Sequence, residues 1–168
     1  MDVAGLLLEL YGRIPPLARR AVEGLDVDQL CRPPGPGANT IAWLVWHAAR
    51  IQDHHIAELL EAAQLWTEDD WARMFGLDPD PSNTGYGHAA DDIASVRPEA
   101  PGVLLAYFDA VDARTCGLLE GVSAADLDRV VDRRWDPPVT LGVRLVSVAN
   151  DDLQHLGQAA YVRGLLGD

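Results

Sequence analysis

Between Thr140 and about Leu166 the apolar residues Leu141, Leu145, Val148, Ala149, Leu156, Ala159 and Ala160 recur at helical spacing. A stretch of that length and period is a long helix with one buried side, and the rest of the chain has to supply elements that cover it. Within it lies a polar run, Asp151-Asp152-Leu153-Gln154-His155-Leu156-Gly157-Gln158. Residues four apart on a helix stand one turn above each other, so the Asp151 carboxylate and the His155 imidazole converge on one point. That is half a metal site. A third ligand has to come from another helix, and the candidate is His47 in Asn39-Thr40-Ile41-Ala42-Trp43-Leu44-Val45-Trp46-His47.

Three further helices are expected to cover the last one. Val3, Leu6, Leu7, Leu10, Ile14 and Leu17 define helix one, roughly 2 to 23, kinked or briefly broken at Pro15-Pro16 and ended by Gly24 and Asp26-Val27-Asp28. Arg32-Pro33-Pro34-Gly35-Pro36-Gly37 is a stiff loop. Helix two starts at Asn39 or Thr40, either of which caps it, and runs to about Ala63. Its stripe is Ile41, Leu44, Ala48, Ile51, His55 and Leu59, with His47 at the edge and Asp53 on the opposite, solvated side. The pattern weakens from Trp66 to Ala100, where short helices are expected near 67 to 75 and 89 to 96; a connection this long is functional, packed by its own side chains, or both. Helix three spans about 101 to 120 and stops at Gly121, a short turn follows at 123 to 126, and Arg133-Arg134-Trp135-Asp136-Pro137-Pro138-Val139 is extended by its prolines. The expected architecture is all-α, a single-domain four-helix bundle, which commonly builds metal sites from inward side chains of facing helices.

Composition narrows the function. The 168 residues fit one domain, and 26 acidic against 13 basic residues leave a formal charge of −13, which repels phosphate backbones and anionic lipid. Nucleic acid and membrane are therefore not the expected partners. Cys31 and Cys116 stand alone, without a CxxC neighbour, and read as residues of a reducing compartment. No signal peptide or membrane-length apolar run is evident, which places the expectation in the cytoplasm.

Each candidate ligand has a plainer alternative. A lone histidine beside an apolar face is commonly a hydrogen-bonded structural residue, and Asp151 with His155 can be a simple salt bridge. Asp152 lies three residues before His155 and nearer the middle of the apolar stripe, so either carboxylate is sterically allowed; if Asp151 ligates, Asp152 holds a hydrogen bond behind it or pairs with an arginine such as Arg163. His54 lies about 10 Å along the axis from His47, too far to share its ion, and lines the pocket mouth or faces solvent. His55 reads as a core or interface histidine, and His88, in the loop after Gly85-Tyr86-Gly87, reaches an active site or faces solvent. Arg50, one turn from His47, and Arg144, on the Asp151 side of its helix, are candidates for an anionic substrate group or plain surface arginines.

Trp43-Leu44-Val45-Trp46-His47 on helix two, with Asp151-x-x-x-His155-x-Gly157-Gln158 on the last helix, resembles the DinB/YfiT-like superfamily of metalloenzymes over nearly the whole chain. The resemblance implies a bundle in which His47, Asp151 and His155 bind a divalent metal, with Gln158 closing the motif. Asp151 stands where many members carry histidine and where those resembling mycothiol-dependent maleylpyruvate isomerases carry a carboxylate, usually glutamate. The C-terminal domain of those isomerases has no room in this chain, so their specific reaction is not implied.

Two imidazoles and a carboxylate with open positions suit catalytic zinc, and also nickel or iron(II). The expected activity is transfer of a low-molecular-weight thiol such as mycothiol to a small electrophile, in a detoxifying role. Hydrolysis at the same site is one alternative. Another is a metal-free bundle that dimerises or binds a partner, with His47 and His155 structural.

Overall fold

The computed structural model describes residues 1–167, which are predominantly helical. Helix one is broken beside Pro15-Pro16 into α1 (Val3–Tyr11) and α2 (Pro15–Val22). The break falls at 12–14 because Pro15 and Pro16 lack N–H groups and instead open α2 at its first turn, where those groups would have no partner. A one-turn α3 (Val27–Leu30), sealed by the reciprocal Asp26 and Gln29 capping bonds, is an addition to the expected elements.

Helix α4 (Ile41–Leu60) is the central element. Thr40 caps it, its side chain accepting from Trp43 N at 3.0 Å, and it ends at Leu60, three residues short of the expected Ala63, with Glu61 in the left-handed region as its cap. Every residue from Ile41 to Arg50 is buried, so the first half of α4 has no solvated face. Helix α5 (Leu65–Glu68) and helix α6 (Trp71–Met74) take the place of one helix at 67–75, interrupted at Asp69-Asp70, and α7 (Ala90–Ser95) follows near its expected position. This connection covers the side of α4 that periodicity assigns to water. Trp66 lies there, fully buried against Trp46, Phe75 and Tyr107 with ring centroids 5.5–5.9 Å away.

Helix α8 (Pro101–Leu119) leads through a 3₁₀ turn at Ala124–Asp126 to strands β1 (Val130–Asp132) and β2 (Val139–Thr140). The strands pair antiparallel, Val130 opposite Thr140 and Asp132 opposite Val139, so the expected extended stretch with Pro137 and Pro138 is the loop between two strands. Helix α9 (Leu141–Leu166) is capped by Thr140 and buries Leu141, Leu145, Val148, Ala149, Leu156 and Ala159; Ala160, expected on that side, is exposed. It packs antiparallel on α4, setting His47 beside Asp151 and His55 beside Arg144. Among the described residues, no helix is long and apolar enough to cross a membrane.

Candidate metal centre

His47, Asp151 and His155 come together across the α4–α9 contact. His47 Nε2 lies 3.9 Å from Asp151 Oδ2 and His155 Nε2 lies 3.6 Å from Asp151 Oδ1, and the three potential ligand atoms all lie within 4.8 Å of one another. The i, i+4 spacing on α9 does what helix geometry requires, and the antiparallel packing delivers the third group.

The hydrogen bonds fix which ring nitrogens face the centre. His47 Nδ1 lies 2.5 Å from the Thr84 carbonyl, which can only accept, so the proton of the neutral ring is on Nδ1 and Nε2 carries a lone pair. His155 Nδ1 donates likewise to Gln158 Oε1 at 2.9 Å. Asp151 Oδ2 is buried with no hydrogen-bond partner. Two lone pairs and a carboxylate therefore face one another with no donor between them, an arrangement that a cation completes. The Trp43 indole stacks on the His47 ring (centroids 4.6 Å, 10°), and the His155 ring meets His47 edge-on at 4.6 Å. Burial lowers the His47 pKa below the usual histidine value, while the Asp151 carboxylate, 3.6 Å from its Nε2, raises that of His155.

Asp152 is elsewhere. It is fully buried, both oxygens lack partners, and burial together with the nearby Asp151 and Asp112 charges pushes its pKa well above the carboxylate range. It pairs with no arginine; Arg163 instead donates to the Arg20 carbonyl at 2.6 Å.

A second group, His54, His55 and Glu58, is equally compact but wired the opposite way. Arg50 donates to Gln64 Oε1 at 2.8 Å, which turns the Gln64 amide so that Nε2 donates to His54 Nδ1 at 3.0 Å, leaving the His54 proton on Nε2, the side of Glu58. Arg144 donates to His55 Nε2 at 3.2 Å, so His55 Nδ1 donates to Glu58 Oε2, also at 3.2 Å. Both rings present N–H groups, and Arg134 and Arg144 stand next to them, so this cluster is poorly suited to a cation. Burial and then the Arg144 charge push the His55 pKa down to about 4. His54 and His55 line an open cavity of about 400 Å³ with Asp132, Arg134, Trp135 and Arg144.

The two candidate substrate arginines are occupied. Arg144 donates to Asp132 Oδ2 at 2.8 Å as well as to His55, although it still borders the cavity. Arg50 is completely buried rather than on the surface, with each of its five N–H groups directed at a protein acceptor and its guanidinium 4.9 Å from the Trp66 ring centroid. It has no donor left for a substrate. Asp53, expected in solvent, is 1% exposed and accepts from Leu65 N, Trp66 N and Tyr107 OH at 2.8–3.0 Å. His88 is half-buried, accepting from Trp43 Nε1 at 3.1 Å and donating to Asn83 Oδ1 at 2.9 Å.

The loop wall of the centre was missed by sequence reasoning. Gly85, at φ +93°, lies so close that a Cβ there would stand 2.8 Å from His47 Nδ1 and 2.9 Å from the Trp46 ring. The Gly85-Tyr86-Gly87 sequence was the available signal, since positive φ is cheap for glycine alone.

A family model described as the DinB superfamily matches residues 12–159. The crystal structure of a conserved protein of a locus from Enterococcus faecalis is similar over 99% of this chain and 98% of that one, at 32% identity with a TM-score of 0.90. No curated protein matches the chain.

Proposed function

This chain belongs to the DinB superfamily, and we propose that it is a divalent-metal-dependent transferase that moves a low-molecular-weight thiol, such as mycothiol, onto a small electrophile. The observation that carries the reading is the donor-free convergence of His47 Nε2, His155 Nε2 and the buried, unpartnered Asp151 Oδ2. His47, Asp151 and His155 would hold the ion, with zinc the first expectation and nickel or iron(II) compatible with the same ligands. When bound, such an ion acts as a Lewis acid that lowers the pKa of a coordinated thiol or water.

The protein's own groups prepare the centre. Thr84 O and Gln158 Oε1 hold the two rings by their outer nitrogens, and Trp43 fixes the plane of His47. Aspartate is shorter than the glutamate of the resembling isomerases, but its two oxygens already face both imidazoles, so the shorter side chain reaches. On the same reading the chain is one four-helix bundle, with α1 and α2 together forming its first helix, working in the cytoplasm on small molecules, without nucleic acid or membrane and with a homodimer as its expected assembly.

Metal content tests the reading. Protein purified without a metal-binding tag is expected to carry stoichiometric transition metal, lost in His155→Ala and Asp151→Ala and retained in Asp152→Ala. Metal in none of them would leave the metal-free, partner-binding bundle as the better reading. Loss in Asp152→Ala alone would overturn the choice of Asp151. Mass spectrometry of thiol adducts formed with model electrophiles then separates transfer from hydrolysis, since hydrolysis yields no adduct.

A further inference from the structure

We propose that Arg50 is a positioning residue for His47, acting through the backbone of loop 81–85 to hold the imidazole in the tautomer that offers its Nε2 lone pair. The inference rests on the metal reading for what the ring is prepared for, but not for the tautomer itself.

His47 and Arg50 are three residues apart on α4, and the link between them runs through the loop. Arg50 Nε donates to Asn83 O at 3.1 Å and Nη2 to Pro81 O at 3.3 Å, gripping two carbonyls of one short segment with one planar group. The next carbonyl along, Thr84 O, accepts the His47 Nδ1 proton, and Gly85 packs against the ring. The other end of the guanidinium is anchored in the core. Nη1 donates to Asp53 Oδ2 at 3.4 Å and to Tyr107 OH at 3.3 Å, while Asp53 is itself held by Leu65 N, Trp66 N and Tyr107 OH. A chain of contacts thus runs from the α5–α8 core through Arg50 and the loop to His47.

The consequence is tautomeric. A neutral imidazole carries one proton on either nitrogen, and the partner of the other nitrogen decides which. With Thr84 O in place the proton sits on Nδ1. With the loop released, the unpartnered Asp151 Oδ2, 3.9 Å from His47 Nε2, becomes the better acceptor, and the proton moves to the nitrogen that would otherwise bind an ion. Arg50 therefore favours the binding-competent ring without touching it.

The test is long-range ¹H–¹⁵N NMR of the His47 ring in metal-free protein at alkaline pH. Wild type is expected to show protonated Nδ1 and unprotonated Nε2. Arg50→Lys keeps the charge beside Asp53 but loses the planar grip on the two carbonyls, and is expected to show a mixture of tautomers together with about 10- to 100-fold weaker metal binding. Tyr11→Phe, which removes a bond to Leu145 O outside this chain of contacts, is the control for general destabilisation and should leave the tautomer unchanged. If Arg50→Lys does not fold, Gly85→Ala acts on the same ring from the loop side and is expected to lose the Nδ1 proton signal. A folded Arg50→Lys, or failing that Gly85→Ala, with the wild-type tautomer overturns the proposal, as does an equal change in Tyr11→Phe. If no variant binds metal while Arg50→Lys still shifts the tautomer, the metal reading fails and the positioning role stands.

Discussion

Replacing Asp53 by alanine separates what periodicity says of α4 from what its packing says. A solvated aspartate on the polar face of a helix would tolerate the change to within about 0.5 kcal/mol. The buried Asp53 instead accepts from two backbone N–H groups and a tyrosine hydroxyl, and compensates a guanidinium with no exposure to water. Removing one partner of a buried ion pair costs about 3–5 kcal/mol, because the other charge stays buried without compensation. For a chain of this length each kcal/mol lowers the melting temperature by about 2–4 °C, so Asp53→Ala should melt about 6–20 °C below wild type. Asp53→Asn keeps one acceptor but no charge and should fall between the two. Circular-dichroism melts at neutral pH, backed by urea titrations, measure the difference. A melting temperature within about 2 °C of wild type would refute the buried network as a source of stability.

Other groups give independent checks. Burial, and then the Asp109 charge, push the Asp112 pKa up to about 6. A carboxyl raised in the folded state is least harmful while protonated, so its share of stability is present below the ordinary carboxylate pKa and lost as pH rises towards about 6; Asp112→Asn should flatten that part of a stability-against-pH curve measured by urea denaturation. The depressed His55 pKa owes its second cause to Arg144, so Arg144→Gln should move the His55 titration upward in NMR, short of the full histidine value because burial remains. Chelation should lower the melting temperature of metal-loaded protein by about 5–11 °C if free ion had stood at about 100 times its Kd, with no effect on Asp151→Ala.

Much of the fold was legible because helices announce themselves locally. Thr40 and Thr140 cap the helices they precede, Pro15-Pro16 breaks the first, and Asp151 with His155 shares one helix face, all from spacing and residue type. His47 as the third group was also within reach, since two long helices with inward polar residues have few ways to pair. The α3 turn and the β1–β2 pair were harder, being four, three and two residues long, too short for any period to register.

The sequence by itself determined the long helices, the Thr40 cap and the shared helix face of Asp151 and His155, with His47 as the candidate third group, because helices and caps depend on residue identity at fixed local spacing. Tertiary structure alone decided the fates of Asp53, Arg50 and Asp152. The aperiodic stretch after Trp66 folds over α4 and turns an apparently solvated face into core, and periodicity cannot report which distant segment covers a helix. It also decided which imidazole nitrogens face the centre. The acceptor for His47 is the Thr84 carbonyl, a backbone group that every residue carries and no sequence pattern marks, and its place beside the ring is set by loop 81–85, the Arg50 grip and the close approach of Gly85.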